Sequence, residues 1–382
     1  MRGKDMENLY RIQEEEQLLT PCLVYYEDLI RKNTKRIIEL AGGDPERLWP
    51  HIKTHKSLDM TKLLMSYGIH KFKTATIAEA EMCAMAGASD IVLAYPLVGP
   101  NRERLVRLSL AYPKIRFYAI QDDMDQIRQL SAFLGDKAKE GLIPADYVVP
   151  LLIDVDLGLR RTGASIEDLE KMVSKTSELP FLQMDGFHCY DGHRHETDYQ
   201  ERDQRVKETD QRIQEVIENL RKGGYPLPVI IAGGTPSFPC HAAHTDWYLS
   251  PGTSFIHDWG YDVHFPDLQC TPAAVVASRV VSHPAPHTFT CDCGVKAIAT
   301  DPAPERGTIA GLPEAKTVMQ NEEHWVFRLP ENMEVPSIGT VLYIIPTHIC
   351  PTSALYPEIL VAEQGQITKT WPVTARNRKL CY

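Results

Sequence analysis

LWPHIK (48–53), KFKTA (71–75), IVLAY (91–95), IRFYAI (115–120), VVPLLIDV (148–155), LQMDGFH (182–188), PVIIAG (228–233) and WYLSPG (247–252) are eight short runs rich in β-branched, aromatic and other apolar residues. Runs of that length and composition predict strands. The stretches between them are longer, charged and apolar at helical spacing. LDMTKLLMSYG follows the first run, IAEAEMCAMAGA the second, and YQERDQRVKETDQRIQEVIENLRKGG (199–224) stops at a glycine pair. These predict helices. Strands alternating with helices build βαβ units on a parallel sheet. Eight repeats in roughly 200 residues fit an α/β fold, a closed (β/α)8 TIM barrel. An open doubly wound sheet is the alternative.

Outward from this block, CLVYY (22–26) predicts a strand ahead of the barrel and YEDLIRKNTKRIIELAGG a helix after it. Beyond residue 270 the texture changes. AAVVASRVVSHP, HTFTCDCG, HWVFRL, GTVLYIIP and EILVAEQGQITKTWPV are β-rich pieces cut by Pro and Gly turns, which predict a β domain. The expected organisation is an N-terminal segment (1–26) whose strand joins that domain, a barrel (27–265) and the C-terminal β domain (266–382).

The chain has 382 residues, 24% of them charged, and a net charge of −10. No strongly basic patch interleaved with aromatics is present, so nucleic acid is not an expected partner. Mean hydropathy is −0.27, and without an apolar run of 18 residues no membrane partner is expected. The first residues, MRGKDMENLYRIQEEEQ, carry charge throughout and lack an apolar signal core. Nine cysteines are an odd number, mostly scattered. They predict reduced thiols in a cytoplasmic protein. The tight pair Cys291 and Cys293 has no second pair to complete a metal site and is read as structural.

Barrel active sites gather at the C-terminal ends of the strands. The first run ends in HIKTHKS, with His51, Lys53, His55 and Lys56. A lysine there has a buried stem beside a cavity, and desolvation favours the free amine that Schiff-base chemistry needs. The His51/His55 spacing would suit a metal on a helix, but the segment reads as strand. The seventh run enters GGTPS (233–237) and the eighth PGTS (251–254). Loops at these two places frequently hold a phosphate. Gly233, Gly234, Thr235, Gly252 and Thr253 therefore form a candidate cradle of amides and hydroxyls. The fifth run leads into DVDLGLRRTG. It is not a calcium loop, because its glycine comes a place early and no Glu closes it. Arg161 in it is placed to meet an acidic oxygen. The sixth run leads into FHCYDGHRH, where His188, Tyr190, His193 and His195 could stack on a ring or move protons. Late in the chain, YIIPTHICPT carries His348 and Cys350 on a strand or turn. Imidazole plus thiolate suits zinc, and two ligands imply an open site.

TPCLVYY, PHIKTHKS, residues 74–100, D-x-G-x-x-R-x-G (156–163), GGTPS, PGTS, and HICPT followed by WPVTARNR together make a specific set. On it the chain resembles, over residues ~20–380, the D-serine dehydratase/D-threonine aldolase family, alanine-racemase-like fold-type III pyridoxal-phosphate enzymes. The resemblance implies that Lys53, rather than Lys56, is the Schiff-base lysine. It puts Arg161 by the cofactor phenolate and Tyr190 near the ring. Gly234, Thr235, Gly252 and Thr253 would hold the phosphate, and His348 and Cys350 a metal, Zn2+ or another divalent cation. Cysteine at the second ligand position leans towards dehydratases. Ser250 stands where an arginine often precedes the proline, which leaves the partner of the pyridine nitrogen open.

The activity so implied is that of a lyase on D-3-hydroxy amino acids: D-serine dehydration to pyruvate and ammonia, or retro-aldol cleavage of D-threonine to glycine and an aldehyde. A racemase would want a second base and no metal, and a non-catalytic cofactor carrier would lack the β domain. The resemblance also implies a homodimer acting on a small D-amino acid.

Overall fold

In a computed structural model of the chain, residues 3–301 and 305–382 are described; residues 1 and 2 of the expected N-terminal segment lie outside them. Strand β1 is Cys22–Tyr26. Seven strands follow: β2 (Lys71–Thr74), β3 (Asp90–Pro96), β4 (Arg116–Gln121), β5 (Val149–Asp154), β6 (Leu182–Cys189), β7 (Val229–Ala232) and β8 (Tyr248–Leu249). Then come β9 (Ala274–Ser282), β10 (Thr288–Cys291), β11 (Gly307–Ile309), β12 (Lys316–Gln320), β13 (Trp325–Arg328), β14 (Val341–Pro346), β15 (Glu358–Glu363) and β16 (Gln366–Pro372). Contacts divide the chain into a barrel unit (Ile38–Lys53, Thr61–Gly252 and Asn377–Tyr382) and a β unit (Met1–Ile37, Thr54–Met60 and Thr253–Arg376).

In the barrel unit β2 to β8 pair in chain order, every pair parallel. Several of the crossover helices carry side-chain N-caps. Thr76 accepts from the Glu79 amide at 3.1 Å while the Glu79 carboxylate accepts from the Ala75 amide at 2.6 Å, a variant of the capping box displaced by one residue. Asp198 starts the longest helix, Tyr199–Lys222, by accepting from the Glu201 amide at 2.9 Å. The first of the eight runs departs from expectation. Residues 48–51 bridge both neighbours (Leu48 to Leu249, His51 to Lys73) but form no regular strand, and Ile52–Thr54 winds into a 3₁₀ turn. Pro50 has no amide proton to give a ladder. Its carbonyl still accepts from Lys73 at 2.8 Å, and the flanking Trp49 and His51 amides donate to Leu249 and Pro251. The ring of eight is thus completed by an irregular first segment. Trp49 anchors it within a core of Val92, Tyr118, Ile120, Leu152, Val229 and Ile231. Its indole N–H donates to the Phe72 carbonyl at 2.8 Å.

In the β unit nine strands form one mixed sheet, in the order β12-β13-β10-β9-β1-β15-β16, with β14 pairing β9 and β11. Strand β1 lies antiparallel to β9 and parallel to β15. Its alternate residues Val24 and Tyr26 enter a core with Tyr10, Val275, Ala277, Tyr343 and Ile345. The fold class expected from the sequence, a TIM barrel followed by a β domain, is the one observed. No helix among the described residues is long and apolar enough to cross a membrane.

Candidate active site

The strand ends of the barrel unit open on a cavity of about 610 Å³ lined by Lys53, Lys73, Arg161, Thr162, His188 and Tyr190, among others. That size suits a cofactor-sized ligand. Tyr190 stands at its centre. The Lys53 ammonium is 5.9 Å, the Lys73 ammonium 5.3 Å and the Arg161 guanidinium 5.1 Å from its ring centroid, all within cation–π range. Arg161 is presented by a turn that the sequence builds carefully. Asp156 Oδ1 accepts from the Gly158 and Arg160 amides, both at 2.9 Å. Gly163 adopts φ +111°, where a Cβ would stand 2.3 Å from the Asp156 amide nitrogen. Asp156 is therefore a turn-former, in keeping with the exclusion of calcium.

Beneath Tyr190 runs a buried chain. Lys73 Nζ bonds His188 Nε2 at 3.3 Å, and His188 Nδ1 bonds Asp154 Oδ1 at 2.6 Å. Burial drives the Lys73 ammonium down to about 7, helped by the like charge of Lys53 and opposed by Asp154 and Asp191. Burial also lowers His188. The bond from His188 holds Asp154 below the ordinary carboxylate range, although burial pushes the other way.

The glycine loop after β7 adjoins the Tyr190 ring. A Cβ on Gly234 would stand 3.2 Å from Tyr190 Cε2, so a larger residue there would press on the ring. The Gly252 amide donates to Thr235 Oγ1 at 3.3 Å, which ties the loop after β8 to the loop after β7. The Gly234 amide donates to Ser237 Oγ at 3.0 Å, and Ser237 Oγ donates to Asp191 Oδ1 at 2.7 Å. His241 stands behind, between Asp191 (3.2 Å) and Asp210 (2.8 Å). Ser250 Oγ is buried without a hydrogen-bond partner. An unpartnered buried hydroxyl beside two glycine-rich turns fits a phosphate-bearing ligand.

In the β unit, β14 ends at Pro346 and the short helix Ile349–Ser353 begins, with His348 as its N-cap. Cys350 therefore lies in a first helical turn rather than on a strand. His348 Nδ1 is 3.2 Å from Asp301 Oδ2, and Cys350 Sγ is 3.2 Å from both Thr54 Oγ1 and Thr253 Oγ1. Burial alone would raise the Cys350 thiol, but the bond from His348 and those hydroxyls hold it below its ordinary value. Burial opposes charge on His348 too, yet the Cys350 contact and Asp258 lift it to about 9. The contact with His348 favours the thiolate of Cys350, the form in which cysteine ligates metal; His348 would ligate as the neutral imidazole. The donor set fits a borderline-soft divalent cation. Among the described residues no cluster of three or more His, Cys, Asp or Glu completes a closed site.

The structure brings Lys53, Arg161 and Tyr190 to one cavity, sets Gly234 against the Tyr190 ring and joins Thr235 to Gly252. It groups Thr253 with His348 and Cys350. His193 and His195 do not line the cavity. Lys56 has φ +49° and lends its carbonyl to Ala375; it does not line the cavity either. Cys291 and Cys293 are both buried, with thiols pushed up by burial. Sequence reasoning missed Lys73 and the Asp191–His241–Asp210 group. The available signal for Lys73 was a lysine near the C-terminal end of a strand run, three residues before the helix cap Thr76.

The family model "Alanine racemase, N-terminal domain" matches residues 27–257, and the model "Putative serine dehydratase domain" matches residues 273–362. The barrel is that of the alanine-racemase-like, fold-type III pyridoxal-phosphate class. Within that class the chain belongs to the D-serine dehydratase/D-threonine aldolase family. D-threonine aldolase from Arthrobacter is 25% identical over 94% of this chain and 92% of its own. The solved D-threonine aldolase of Filomicrobium marinum superposes with a TM-score of 0.85 at 24% identity, covering 96% of this chain and 98% of that one. The D-threo-3-hydroxyaspartate dehydratase of Delftia superposes with a TM-score of 0.77 at 22% identity, covering 94% and 98%. That dehydratase was also solved with alanine in place of a histidine and, in a metal-free form, of a cysteine two positions later.

Proposed function

We propose that the protein is a pyridoxal-phosphate- and metal-dependent lyase of D-3-hydroxy amino acids, and that its reaction is dehydration of D-serine to pyruvate and ammonia. The observation that carries the reading is the cavity of the barrel unit, where Lys53 and Arg161 flank Tyr190 beside two glycine loops. Lys53 Nζ would carry the cofactor. Gly234, Thr235, Gly252 and Thr253 would hold its phosphate, Arg161 its phenolic oxygen, and Tyr190 the edge of its ring. Bound there, pyridoxal phosphate supplies an electron sink for the bond broken at Cα.

With the cofactor held there, Lys53 Nζ would be the base that takes the substrate's Cα proton. His348 and Cys350 would hold zinc or another divalent cation, which supplies Lewis acidity for loss of the β-hydroxyl. The spacing of two between histidine and cysteine, shared with the Delftia dehydratase, supports elimination. The reading extends to a cytoplasmic homodimer; nine cysteines outside any disulfide support a reducing compartment.

Retro-aldol cleavage is the second reading, supported by the TM-score of 0.85 against D-threonine aldolase. Product analysis separates the two. With D-serine and D-threonine, with and without chelator, metal-dependent 2-oxo acid and ammonia establish the dehydratase. Glycine and aldehyde establish the aldolase. Chelator-insensitive change of configuration, or no turnover at all, would overturn both.

A further inference from the structure

The proposed function leaves one cationic side chain of the cavity without a part. Lys73 is 2% exposed and precedes the last residue of β2. The ladder between β5 and β6 sets Asp154 opposite His188, which places their side chains at one level of the barrel, where His188 meets Lys73. Chemistry then fixes the protons. A carboxylate at 2.6 Å accepts a hydrogen bond from Nδ1–H of His188, so Nε2 turns a lone pair towards Lys73. If the imidazole gains a second proton, Nε2 becomes a donor and only a neutral amine can accept from it. Lys73 and His188 therefore hold one exchangeable proton between them.

Every group facing Lys73 bears on where that proton resides. Lys53 and Arg161 repel it, while Asp154 and Asp191 attract it. His51 is bridged to Lys73 across the ladder, and Tyr190 and Tyr95 line the same cavity. Burial drives the amine down to about 7, so the pair changes charge in the neutral range. Lys53 and Arg161 have direct work in the proposed chemistry, whereas Lys73 has the geometry of a reservoir.

We propose that Lys73 is a second functional lysine of this cavity: with His188 and Asp154 it is a positioning residue that stores one proton and so sets the charge around the ligand bound beside Tyr190. The inference rests on the reading of the cavity as a pyridoxal phosphate site. No covalent bond changes. The proton passes between Lys73 Nζ, His188 Nε2 and solvent, and the ionisation of the bound ligand follows the charge left behind.

The test uses the holoenzyme and reads the visible absorption of bound pyridoxal phosphate against pH. The wild type should show a step with a midpoint near 7. Lys73→Met should abolish the step while borohydride reduction and peptide mapping still find the cofactor on Lys53. His188→Gln removes the neutral-range partner and should move the midpoint by roughly half a pH unit or more. An unchanged step in both variants overturns the proposal. Should either variant fail to fold, NMR of cofactor-free wild type labelled with ¹³C at lysine Cε decides. One lysine titrating near neutrality supports the reservoir, and all lysines titrating above about 9 overturn it. If the wild type takes up no cofactor on Lys53, the cofactor reading fails, and the same NMR titration still decides for or against Lys73.

Discussion

His241 is the residue on which the glycine loop after β7 rests, and replacing it should test how that loop is held. Its ring is 1% exposed and lies between two carboxylates, Asp210 at 2.8 Å and Asp191 at 3.2 Å. Burial alone would discharge the ring, but the bonds from Asp191 and Asp210 outweigh it and raise its pKa from 6.5 to about 10. Three and a half decades at ~1.4 kcal/mol each make about 5 kcal/mol of folding free energy. That agrees with the roughly 3–5 kcal/mol lost when one partner of a buried ion pair is removed.

Because the folded-state pKa lies above the unfolded one, this contribution is complete below pH 6.5. It is lost as pH rises through about 10. His241→Leu keeps the volume near and strands both carboxylates. At ~2.1 cal/mol/K per residue, a 382-residue chain has an unfolding entropy of roughly 0.8 kcal/mol/K. The variant should therefore melt about 6 °C lower at pH 6 and under ~2 °C lower at pH 10. Adding Asp210→Asn should recover part of the loss through the shared network. Thermal unfolding across that pH range is the assay. A loss below ~1 °C at pH 6, or one that grows with pH, would refute the argument.

Borohydride reduction of the cofactor-loaded protein should fix the cofactor to Lys53; a label on Lys56 would contradict the cavity assignment. Thr235→Val removes the hydroxyl that joins the two glycine loops and should weaken pyridoxal phosphate affinity roughly tenfold with the melting temperature little changed, as equilibrium dialysis would show. His348→Ala and Cys350→Ala should each lower bound zinc, measured by elemental analysis, and abolish turnover while cofactor absorbance persists; full activity after chelation would show the pair to be structural. The depressed Cys350 thiol should alkylate at neutral pH ahead of the buried cysteines whose thiols burial raises, and zinc should protect it.

Much of this protein is legible in its sequence. Period and punctuation mark seven of the eight barrel strands, because β-branched runs between capped helices leave little choice of local structure. The exception, residues 48–51, reads as a strand by composition. Pro50 removes the donor a ladder needs, and only the closure between β8 and β2 shows what the segment does instead. Residue type and strand-end position also single out Lys53, Arg161, Tyr190 and the glycine loops. These signals are local: a turn needs its Gly163, and a phosphate loop needs residues without a Cβ.

Which side chains meet is another matter. Asp154 and His188 are 34 positions apart and face each other only through the β5–β6 register. Lys73 reaches His188 only because the ring of strands closes on itself. His241 acquires its charge from two carboxylates 50 and 31 positions away. The sequence by itself determined the elements and the kinds of chemistry at their ends. Tertiary structure alone decided the pairings and the burial, because desolvation and Coulomb interaction depend on distances in space that no spacing along the chain records.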